Sequence, residues 1–143
     1  MAGYKKILVA VDLSEDSEAV AERARQIASA SQAHITLLHI VEYAPVEPMG
    51  EALLPTVQIE GELVDRARNR LTELAKRLSL AHCPQVVQTG GIKTEIIRTA
   101  QRIGADLIVL GSRERHGLAI LLNFTEDAVL HAAPCDVLAV RLH

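Results

Sequence analysis

The chain has 143 residues, the usual extent of one domain built on one core, so a single domain over residues 1–143 is expected. A hydrophobic fraction of 49% against 23% charged residues excludes a disordered chain. Trp is absent, Phe occurs once, Tyr twice, and the net charge is −3, so neither base stacking nor counterion release by clustered cations has the residues it needs, and no nucleic-acid partner is expected.

Lys5 to Val11 is short, apolar and rich in β-branched residues, the pattern of a strand buried on both faces. Asp12-Leu13-Ser14 breaks it. Ser14 is the expected N-cap of a first helix, with Glu15, Asp16 and Glu18 in its first turn, where carboxylates oppose the positive end of the dipole. Val20, Ala24, Ile27, Ala28 and Ser31 make its apolar stripe. His34 to Val41 reads as the second strand. From Glu42 to Pro55 the residues Pro45, Pro48, Gly50 and Pro55 predict a long loop without a regular element. Leu63, Ala67, Leu71, Leu74 and Leu78 mark a second helix, and Gln85 to Thr89 a third strand. Gly90-Gly91 turns the chain into a helix carrying Ile92, Ile96, Ile97, Ala100 and Ile103, with Gly104 as its left-handed cap. Asp106 to Leu110 is the strongest buried-strand signal, and Gly111 is read as its end. A loop with an apolar stretch covers Ser112 to Phe124. Thr125 caps a last short helix that Pro134 closes, and Asp136 to Leu142 is the final strand.

Five strands alternating with four helices predict an α/β fold: an open, mostly parallel sheet with helices on both faces and right-handed connections. In such sheets ligands bind beyond the carboxyl ends of the strands, where the winding reverses. If the first and fourth strands are neighbours there, Asp12-Leu13-Ser14 and Gly111-Ser112-Arg113 converge. Generic motifs are missing. The first strand-to-helix turn has no glycine, which excludes GxGxxG, and in Gly91-Ile92-Lys93-Thr94 the Ile92 separates glycine from lysine, which excludes a P-loop. No GxSxG marks a nucleophile, and no nucleophile–base pair can be named. The six histidines show no ligand spacing, and Cys83 and Cys135 form no CxxC, so no metal site and no disulfide framework are expected. No apolar run approaches the ~20 residues that span a bilayer, and the basic start lacks a signal-peptide core. The expectation is a cytoplasmic protein without a membrane partner.

Four segments, in order and at their spacing, carry a resemblance. They are Lys6-Ile7-Leu8-Val9-Ala10-Val11-Asp12-Leu13-Ser14, Leu37-Leu38-His39-Ile40-Val41, Ala105-Asp106-Leu107-Ile108-Val109-Leu110-Gly111-Ser112, and Ala133-Pro134-Cys135-Asp136-Val137-Leu138-Ala139-Val140. The chain resembles the universal stress protein family over essentially its full length. The resemblance implies a five-stranded sheet of order 3-2-1-4-5. It also implies a homodimer paired through the last strand, Val137, Leu138, Ala139, Val140, Arg141 and Leu142. Such an apolar edge leaves backbone groups free unless a two-fold copy pairs with it.

The family has an ATP-binding kind, whose loop after the fourth strand reads Gly-x-x-Gly, nine residues, then Gly followed by Ser or Thr. Glycines there let backbone N–H groups approach phosphates. This chain keeps Gly111 with Ser112 but has Glu114 at the second glycine. Two like unit charges about 4 Å apart repel by about 4 kcal/mol at an effective dielectric of about 20. The third glycine falls on Phe124 before Thr125, or on Asn123 if the loop is one residue shorter. Arg113 and Arg115 either offset Glu114 and attract an anion or stand as solvated charges. Asp12 matches the family's nucleoside-contacting position and Val41 the position whose backbone meets an adenine. Asp12 reads equally well as a strand-end acid oriented by the next helix.

Two readings follow. In the first the chain is a non-catalytic stress-response dimer with a degenerate nucleotide pocket and no cofactor, acting through protein partners not identified by sequence. In the alternative it still binds ATP or another adenine nucleotide, with slow hydrolysis or none.

Overall fold

The computed structural model describes residues 3–42, 53–113, 129 and 131–142, with the side chains of 53–58 and of 113 left out. Chain order is β1 (Lys6–Ala10), α1 (Ser17–Ser31), β2 (His34–Val41), α2 (Leu53–Arg77), β3 (Gln85–Thr89), α3 (Ile92–Ile103), β4 (Leu107–Arg113) and β5 (Asp136–Leu142). The strands form one five-stranded sheet of order β3-β2-β1-β4-β5, and every ladder is parallel. The expected order and the α/β class are therefore met. The expected fourth helix, from its cap Thr125, falls largely outside the described residues, as do most of the apolar stretch before it and most of the 42–55 loop.

The apolar runs are strands because the sheet is covered on both faces. Ile7, Val9, Leu37 and Val109 point to one side, where Val20, Ala24 and Ala28 of α1 and Ala67, Leu71 and Leu74 of α2 close over them. Leu8, Leu38, Ile108 and Leu110 point to the other, against Ile96 and Ala100 of α3 and against Val129. Strands wetted on one face would alternate with polar residues; these do not.

Strand β1 is one residue shorter at each end than the sequence reading and β4 starts one residue later, and three other boundaries differ by more. Helix α2 begins at Leu53 and carries Pro55 in its first turn. First-turn N–H groups have no partner inside a helix, so proline's missing donor removes nothing there. Strand β4 does not end at Gly111. It runs on to Arg113, because β5 is long enough to pair with it: Gly111 lies opposite Val140, Ser112 opposite Arg141, and Arg113 opposite Leu142. Ser14 is not the N-cap of α1. The helix starts at Ser17 with Asp16 at the cap position, and Asp16 makes no side-chain capping bond. Gly104 caps α3 as expected, at φ 68°, with its N–H on the carbonyls of Ala100 and Gln101.

Candidate functional site

The ladder between β1 and β4 runs only from Ile7 opposite Leu107 to Val9 opposite Val109. Beyond it β4 continues alone with β5, and the chain after β1 turns away into α1. Continuing the register brings Asp12 level with Ser112. The carboxyl edge of the sheet thus gathers Asp12, Val41, Gly111 and Ser112 on adjacent strands or just past them. Asp12 is exposed, Gly111 and Ser112 are half-buried, and Val41 is buried. Glu114, Asn123, Phe124 and Thr125 lie outside the described residues, as does the side chain of Arg113, so the rest of the expected loop is not placed.

Each described member of this edge is held by its neighbours. The Asp12 Oδ1 accepts the Ser14 N–H at 2.9 Å and the Ser17 hydroxyl at 3.1 Å, which ties the carboxylate to the start of α1. The Ser14 carbonyl accepts the Ser17 N–H at 3.1 Å, and the Val41 carbonyl accepts the Gly90 N–H at 3.2 Å. At Gly111 a Cβ would stand 2.7 Å from Leu142 Cδ1 and 3.1 Å from Val20 Cγ2. Glycine at this point lets α1 and the end of β5 close over β4. Packing against Leu142 and Val20 thus favours glycine here independently of any phosphate.

The β1–α1 turn is built without glycine, yet Leu13 sits at φ 62° with its side chain buried in the core. Two side chains from distant elements secure the flanking carbonyls. His39 on β2 places Nδ1 2.8 Å from the Val11 carbonyl, so Nδ1 carries the proton and donates it. Arg70 on α2 donates from its guanidinium to the Leu13 carbonyl. Sequence reading singled out neither for this role. His39 lies 28 residues from its partner and Arg70 lies 57, and nothing local to Asp65–Arg70 marks one arginine among several. Beside the turn a cleft of about 360 Å³ opens between α1 and α2, with Leu13 and Leu74 among its lining residues. Arg77 crosses it to Glu18, Nε to Oε1, at 3.0 Å between two half-exposed side chains.

The amino edge of the sheet carries a second group of titrating residues. The Tyr4 hydroxyl donates to Asp136 Oδ2 at 2.8 Å, and this bond to an anion raises the phenol's pKa. Burial raises the thiols of Cys83 and Cys135, the latter with help from Asp136 and Asp106, so neither is an activated thiolate. Among the described residues no group of three His, Cys, Asp or Glu could hold a metal, and no helix is long and apolar enough to cross a membrane.

Comparison with known proteins gives a consistent picture. The sequence model of the Universal stress protein family matches residues 3–141. Universal stress protein A homolog 2 of Coxiella burnetii is 38% identical over 143 residues, 99% of this chain and 98% of the relative. The solved universal stress protein UspA from Lactobacillus plantarum superposes with a TM-score of 0.77 at 29% identity, covering 99% of this chain and 100% of that one. A universal stress protein solved in complex with cAMP superposes at 0.71 with 23% identity, covering 97% and 98%.

Proposed function

Since the chain belongs to the universal stress protein family, we propose that it is a cytoplasmic stress-response protein that acts through protein partners, without catalysis, and whose strand-end pocket no longer grips a triphosphate. The observation that carries this reading is Gly111. It is the one glycine kept from the family's phosphate loop, and its bare Cα is enclosed by Leu142 and Val20. Its retention is then a matter of packing. The other two glycine positions hold Glu114 and either Asn123 or Phe124, side chains where bare backbone is wanted. Asp12, the acid kept at the nucleoside position, is bonded through Oδ1 to the start of α1, which gives it a structural task. Pairing of two copies along β5 is supported by its place at the edge of the sheet and by Val137, Leu138 and Val140 along it.

A second reading keeps an adenine nucleotide at the same edge. It is favoured by the cAMP complex of one structural neighbour and by the presence of Asp12, Val41, Gly111 and Ser112 at adjacent strand ends. One experiment separates the two: thermal unfolding with and without millimolar ATP and Mg²⁺, on the wild type and on Glu114→Gly. A ligand at about 100 times its dissociation constant adds about 2.7 kcal/mol of stability. The first reading predicts no rise in the wild-type midpoint. A clear rise in the wild type, larger in Glu114→Gly, establishes the second.

A further inference from the structure

We propose that Arg70 is a positioning residue: through the Leu13 carbonyl it holds the β1–α1 turn in a left-handed conformation and so fixes where the Asp12 carboxylate stands at the ligand edge of the sheet. The inference is independent of which ligand, if any, that edge takes.

The argument starts from strain. A non-glycine residue in the left-handed region is strained, because Cβ crowds the following carbonyl. Such a conformation persists only where the surroundings over-determine it. At Leu13 one constraint is apolar: the side chain is 7% exposed, in the same core cluster as Val20, Leu71 and Leu74. That contact fixes the side chain but leaves the Leu13 peptide free to rotate about its flanking bonds. The peptide is fixed by polar contacts on each side. His39 donates to the Val11 carbonyl, and Asp12 accepts from Ser14 and Ser17. The Leu13 carbonyl itself is met by Arg70 from α2, across the cleft between the two helices. Of these polar contacts only the last reaches the turn from α2. A long helix packed mainly on β2 and β3 is thereby tied to the loop that follows β1, and the direction of Asp12 becomes a property of how α2 sits.

The neighbouring Arg77 provides an internal control. It lines the same cleft and pairs with Glu18, but makes no bond to the turn.

The test is residue-resolved amide hydrogen exchange with the Asp12 carboxyl ¹³C resonance, on Arg70→Met, Arg70→Lys and Arg77→Met. Methionine keeps the apolar stem and removes the donors; lysine restores a cationic donor group at its tip. Arg70→Met should speed exchange at Ser14 and Ser17 by about tenfold, equivalent to about 1.4 kcal/mol. It should shift the Asp12 carbon and leave Ile108 in the core unaffected. Arg70→Lys should recover most of the protection, and Arg77→Met should match wild type at all three sites. The proposal is overturned if Ser14 and Ser17 stay within twofold of wild type in Arg70→Met, if Ile108 accelerates as much as they do, or if the Asp12 carbon does not move. Should Arg70→Met fail to fold, the wild type alone decides. A guanidinium held at a carbonyl shows slowed rotation of its Nη groups, and a freely rotating Arg70 overturns the proposal.

Discussion

At Gly111 the space a side chain would take belongs to Leu142 and Val20. Gly111→Ala therefore places a methyl group 2.7 Å from Leu142 Cδ1. Leu142 can swing its end away, so the loss of stability should lie near the low end of overpacking, about 1 kcal/mol. Denaturant titration measures it. Truncating Leu142 to Ala in the same chain should make the glycine substitution nearly neutral, and strict additivity of the two losses would show that the contact is not what requires glycine. Asp106 acts at the opposite edge. Its oxygens accept the N–H groups of Lys5 at 2.8 Å and Lys6 at 3.0 Å. Burial works against its charge, but the backbone N–H groups of Lys5, Lys6 and Asp106 itself, with the Lys5 charge, together outweigh burial, and the carboxyl ionises below its ordinary value. A lowered folded-state pKa contributes stability that is present above the unfolded value, near 3.9, and is lost as pH falls through the folded one. Urea midpoints should therefore drop for the wild type from about pH 5 to about pH 3, and drop less for Asp106→Asn, with the two converging at the acid end. Parallel curves would mean that the Lys5 and Lys6 contacts do not depend on the charge.

Strand β5 carries the clearest prediction among the elements. Its exposed positions include Ala139 and Arg141, and its outer edge has no partner strand within the described chain. Antiparallel pairing with a two-fold copy would bring these positions close to their own images. Ala139→Glu with Arg141→Glu would then face like charge with like charge. Sedimentation should show a wild-type dimer and a monomeric double variant; equal masses for the two would remove β5 from the interface. The elements also show what the sequence makes readable. Strands β2, β3 and β5 are legible in the sequence because a charge, a glycine pair or a proline bounds each buried run. The same cues mislead at the end of β4 and the start of α2. Gly111 reads as a breaker only if its neighbours are ignored, and a proline forbids a helix interior but not a first turn. The positive φ at Leu13 had no local signal at all, since the turn lacks glycine, and the residues that hold it come from β2 and α2. Periodicity reports which face is buried; it carries nothing about a side chain that reaches a carbonyl 57 residues away.

Across the whole molecule, the family frame and the state of the ligand edge separate. The parallel sheet and the match over residues 3–141 fix the frame. On the proposed reading the edge depends on the residues at 114 and at 123 or 124, so membership in the family does not by itself decide what this chain holds. Calorimetric titration of the wild-type protein with ATP in the presence of Mg²⁺ tests the account most directly. On the proposed reading, with Glu114 and either Asn123 or Phe124 at the sequence positions of the family's glycines, the wild type should give no saturable heat up to millimolar nucleotide. A saturable isotherm with a micromolar dissociation constant, lost in Asp12→Ala, would contradict it.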